Sequence, residues 1–68
     1  MDKELVQIYA TGQPYLAELV RQMLSDNDIQ SFIVNKQDSA YKFGDIELFV
    51  NRDYVIRAKL LIQEFEQN

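Results

Sequence analysis

The chain contains no cysteine and no histidine. Without thiolates or imidazoles it can build no zinc finger, no Cys-His or Ser-His nucleophile and no histidine pH switch, and no disulfide can staple its fold. Long apolar runs are missing too. No stretch approaches the ~20 residues of a membrane span, and MDKELVQIYA at the start carries no apolar segment long enough for a signal peptide. The expectation is a cytoplasmic protein, although the lack of cysteine fits a reducing or an oxidising compartment equally well. Positive charge is scarce and scattered: seven basic residues against eleven acidic ones leave a net charge of -4. That gives no electrostatic footprint for phosphate backbones, so neither nucleic acid nor a membrane is expected as a partner.

What is present points to a folded domain. Hydrophobic residues make up 47% of the chain, with four Tyr and four Phe among them, which argues against disorder. Sixty-eight residues make one domain, 1–68. A domain of this size buries only about 60% of the surface its unfolded chain exposes, and is marginal alone.

The order of elements follows from periodicity. Leu5 to Ala10 (LVQIYA) is a β-branched and aromatic run closed by Thr11-Gly12, hence a strand and a turn. Pro14 suits the first position of a helix. From there Leu16, Leu19, Val20, Met23 and Leu24 line one helical face, and Asp26-Asn27-Asp28 ends it. Ile29 to Val34 (IQSFIV) reads as a second strand. In the third, Ile46, Leu48 and Val50 alternate with Glu47 and Phe49. Asn51 caps a second helix, whose inward stripe is Tyr54, Val55, Ala58, Leu61, Ile62 and Phe65.

A β-α-β crossover leaves its two strands parallel, while the loop-joined second and third strands run antiparallel. The simplest arrangement is an α+β two-layer sandwich with a three-stranded sheet in the order 1-3-2 and both helices on one face. This is a ferredoxin-like fold lacking its last strand, and it leaves an open edge.

The segments IYATGQPYLAELVRQML (Ile8 to Leu24) and IVNKQDSAYKFGDIELFV (Ile33 to Val50), with the closing amphipathic helix, resemble a small bacterial family. Its members are known as putative signal transducing proteins, a domain of unknown function numbered two thousand and seven. Asp38-Ser39-Ala40-Tyr41, then Phe43-Gly44 and Ile46-Glu47-Leu48, carry the more specific part of the likeness. The resemblance implies a fold similar to ferredoxin-like nitrogen-regulatory trimers, whose long loop contacts partners, and a role in signalling. It implies no catalytic or binding residues.

Two places stand out as working surfaces. Parallel first and second strands end on the same side, so the turn Thr11, Gly12, Gln13 should neighbour the connection that begins at Asn35, a place where open sheets with crossovers commonly hold ligands. A helix starting there offers free N–H groups and partial positive charge to a small anion, with Lys36 and Lys42 to assist. The bland alternative is that Thr11 and Gly12 merely turn the chain and the lysines are solvated. The connection from Asn35 to Gly44 is also long for a hairpin, at roughly nine residues against 2–5, and extra length of this kind is usually functional or mobile. Asn35, Lys36, Asp38, Ser39, Tyr41, Lys42 and Phe43 are its candidate contacts, although the two rings could instead fold back over the sheet. Asp38, Asp45 and Glu47 are not spaced to complete a metal site, and no cofactor is implied.

Surplus apolar residues suggest self-association as an alternative. Leu5, Tyr9 and Phe49, with Phe32 depending on register, should emerge on the sheet face away from the helices, and Ile56 and Leu60 on the outer side of the second helix. The sequence is expected to encode a non-enzymatic regulatory module that binds a protein partner or small anion through the 35–44 loop and the 11–13 turn. The competing reading is a structural homo-oligomer that associates through the open sheet face or the first-strand edge.

Overall fold

The computed structural model describes residues 4–37 and 45–67. Pro14 opens the first helix, α1 (Pro14–Asp26), where its missing N–H would be unpaired in any case. Before it runs strand β1 (Leu5–Thr11); after it come β2 (Ser31–Asn35), β3 (Ile46–Asn51), a 3-10 turn at Arg52–Tyr54, and helix α2 (Val55–Glu66). The sheet order is β1-β3-β2, and both outer strands run antiparallel to β3. β1 and β2 are therefore parallel and end on the same side, as the crossover rule requires.

β3 shows why both helices lie on one face. Ile46, Leu48 and Val50 are buried, while the intervening Glu47 and Phe49 are only half-buried. The buried set packs against Ala17, Val20 and Leu24 of α1, Ala58 and Ile62 of α2, and Ile29; this core contains no charged or polar residue. Burial of this kind stabilises by about 25 cal/mol for each Å² of apolar surface removed from water.

Two residues placed in the inward stripes are exposed. Leu19 is about half exposed because Ala17, Val20 and Leu24 set the centre of the buried stripe, and at 100° per residue Leu19 lies about 130° from it. The small side chain of Ala17, which the periodicity reading passed over, sits at that centre. Tyr54 is exposed because it belongs to the 3-10 turn, where the phase of α2 does not hold. Asn51 does act as a cap, its Oδ1 accepting from the Asp53 N–H at 3.0 Å, but the segment it caps is this turn.

The end of α1 moves the start of β2. Asp28 has φ 63°, its N–H donates to Ser25 O at 3.0 Å, and the Ile29 N–H donates to Leu24 O at 2.9 Å. This is a Schellman closure, with Leu24 and Ile29 making the apolar contact that accompanies it, both fully buried. Ile29 is thus spent on closing the helix, and the strand begins at Ser31 instead of Ile29.

β1 carries a bulge. Gln7 pairs with Phe49, but Tyr9 pairs with Leu48, so Ile8 is the extra residue. Directly opposed residues share a face of the sheet, and Leu48 is fully buried under the helices. Tyr9 therefore faces the helices, not the open side where simple alternation put it, and both it and Ile8 pack against the core. The open face is left to Leu5, Gln7 and Ala10 of β1, Phe32 and Val34 of β2, and Glu47 and Phe49 of β3. Of these, Leu5, Gln7, Ala10, Phe32 and Val34 are exposed, Leu5, Phe32 and Val34 being the large apolar ones.

Candidate functional site

The carboxyl ends of β1 and β2 meet at one rim. After β1 the chain turns through Gly12, with Thr11 Oγ1 accepting from the Gln13 N–H at 3.2 Å. Gln13 O then accepts from the N–H groups of Leu16 at 3.0 Å and Ala17 at 3.3 Å, which starts α1. No side chain caps this helix and no acidic residue stands in its first turn. Its partial positive charge is left uncompensated by any carboxylate of its own.

Across the rim, Asn35 Oδ1 accepts from the Gln37 N–H at 2.9 Å, a side-chain turn that bends the chain as it leaves β2. The bend brings the Gln37 amide over the first turn. Its Nε2 donates to Gly12 O at 2.6 Å, joining positions twenty-five residues apart. The expected juxtaposition of Thr11, Gly12 and Gln13 with Asn35 and Lys36 is therefore present, held by a residue that sequence reasoning did not single out. Gln37 looked like one polar residue in a polar run; only the parallel strand ends give it a partner.

Lys36 takes a different direction from the one expected. Its N–H extends the ladder by donating to Asp45 O at 3.1 Å, while Nζ pairs with Glu47 Oε1 at 3.3 Å. Glu47 lies on the open face of the sheet, so this ammonium serves the side opposite the helix start. Asp38, Ser39, Tyr41, Lys42 and Phe43 lie outside the described residues. Among the described residues no group of three or more acidic side chains could hold a metal ion.

On the helix side the rim continues into an open groove of about 650 Å³, lined by Tyr9, Leu16, Phe65 and Glu66. Partial burial, and then the charge of Glu66, push the Tyr9 hydroxyl above its ordinary value, and a side-chain hydrogen bond with Thr11 acts in the opposite direction. The groove was not legible in advance because its floor depends on the bulge that turns Tyr9 inward. A second depression, of about 360 Å³, lies at the far end beside Arg21, Asp28 and Ser31. Arg21 is drawn away there by Glu18, at 2.7 Å.

Three strands ordered β1-β3-β2 beneath two helices, in the sequence β-α-β-β-α, define a ferredoxin-like α+β domain. The chain belongs to the family described as "putative prokaryotic signal transducing protein", whose model matches residues 5–66 and so spans every strand and helix. No curated protein and no solved structure matches the chain. Among the described residues no helix is long and apolar enough to cross a membrane.

Proposed function

We propose that the chain is a non-enzymatic regulatory module, set in the cytoplasm, that engages a protein partner or a small anionic ligand through the rim formed by the 11–13 turn and the 35–44 connection. The observation that carries this reading is the Gln37 to Gly12 hydrogen bond, which makes two distant segments one surface. The uncapped start of α1 supports the anionic option and the family description supports signalling. An enzyme would need a carboxylate, lysine or tyrosine base in an enclosed pocket, and the groove beside Tyr9 is open. The test is an amide-resolved NMR titration of the labelled chain, first with inorganic phosphate and then with clarified bacterial extract. Shifts or broadening at Thr11–Gln13 and Asn35–Gln37 in either titration are expected. If neither titration moves these residues, the segment is only a connector.

A second reading, self-association, is favoured by the exposure of Leu5, Phe32 and Val34 on the uncovered sheet face. Its readout is the mass in solution at high micromolar concentration, where a single-chain mass counts against it.

A further inference from the structure

β2 is an outer strand with an unusual combination of properties. Its sequence, SFIVN, has no charge, no proline and no glycine, and Phe32, Ile33 and Val34 are 40%, 37% and 42% exposed. Outer strands of natural sheets are commonly blunted by charge, proline or a bulge, because their unpaired N–H and C=O groups are a template for another strand. The other outer strand, β1, has such a device in the bulge at Ile8. Among the five residues of β2 there is none.

The ladder fixes which groups point outward. Lys36 donates to Asp45 O, so in this register the residues that exchange hydrogen bonds with β3 are every second one back along the strand, Val34 and Phe32. The N–H and C=O groups of Ser31, Ile33 and Asn35 consequently face away from the sheet. These three positions are symmetric about Ile33.

We infer that β2 pairs with β2 of a second copy of this chain, antiparallel and centred on Ile33, to make one continuous six-stranded sheet. This goes further than the self-association reading on which it rests, because it replaces the sheet face and the first-strand edge with one specific strand. Three features support a second copy as the occupant. The register is self-complementary: Ile33 opposes Ile33, and Ser31 opposes Asn35 twice, giving about six backbone hydrogen bonds across a two-fold axis. Next, the segment is uncharged in a chain of net charge -4, so two copies meet here without like charges face to face. Finally, Phe32 and Val34 of the two copies pair on the open face, joining the exposed apolar surfaces into one band.

Light scattering at high micromolar concentration, with Ile33→Pro as the key variant, tests the pairing. The Ile33 N–H points outward, so proline there removes a donor from the free edge and none from the ladder to β3. The expected result is twice the single-chain mass for the wild type and the single-chain mass for Ile33→Pro, with dispersed amide spectra for both. Because the chain has no cysteine of its own, Ile33→Cys gives an independent test even if the proline variant does not fold. Opposed residues in such a pair have Cα atoms about 5.5 Å apart, within reach of a disulfide. Oxidation should link Ile33→Cys chains in pairs and leave Ile56→Cys chains unlinked. A single-chain mass for the wild type overturns both the pairing and the wider self-association reading. A doubled mass that survives in folded Ile33→Pro, or an Ile33→Cys dimer that does not link, overturns the strand pairing alone.

Discussion

Asp28 holds the left-handed conformation that closes α1, with φ 63° and without the freedom that glycine has there. It also sits, with Asp26, near the negative end of the helix dipole. Asp28→Gly relieves both penalties and should raise stability by about 1 kcal/mol, read as an upward shift of about 4–8 °C in thermal unfolding. Gly12 is the converse. An added Cβ there meets no atom within 4 Å, and its φ lies outside the left-handed region. Gly12→Ala should be neutral or stabilise by up to about 1 kcal/mol through the unfolded chain, provided the carbonyl still receives Gln37. Tyr9 supplies a pH dependence. Its raised value means that the folded chain holds the phenolic proton more tightly than the unfolded chain, whose ordinary value is 10.0. That contribution is intact below pH 10 and is lost as pH climbs through the raised folded value. Urea unfolding across this range should show a shallower alkaline decline for Tyr9→Phe than for the wild type. Asp26-Asn27-Asp28 was readable as a turn from composition, but which residue takes the positive φ was not, because Asn and Asp both tolerate it.

At the scale of elements, the alternation in β3 was fully legible, since a strand covered on one face must alternate and Ile46, Leu48 and Val50 do so. Leu48 is fully buried beneath both helices, and Leu48→Ala should cost about 2–5 kcal/mol. In a domain whose total stability is about 5–15 kcal/mol, that is a large share, and it should lower the midpoint of urea unfolding followed by circular dichroism. Ile56→Gln on the outer side of α2, by contrast, should change stability by no more than about 0.5 kcal/mol, because that side chain is 79% exposed. β1 shows where periodicity stops working. One extra residue at Ile8 reverses the face of everything after it, and nothing in LVQIYAT marks the bulge, since neither glycine nor a turn residue is present. Ile29 was misplaced for a related reason. An apolar residue after a helix serves a Schellman closure as well as a strand, and composition does not separate the two.

At the scale of the whole molecule, the sheet order followed from connection rules alone: one crossover and one loop leave little choice once both helices need the same apolar face. The rim was legible for the same reason, because parallel strands must end together. Its fastening was not, since the Gln37 side chain reaches Gly12 only through the bend made by Asn35. The most direct test of that rim is an amide NMR comparison of the wild type with Gln37→Ala. Loss of the bond to Gly12 O should move the resonances of Gly12 and Gln13 as well as those of Asn35 and Lys36, and leave Arg21 to Ser31 at the far end in place. Changes confined to residues 35–47, with Gly12 and Gln13 unmoved, would contradict the account.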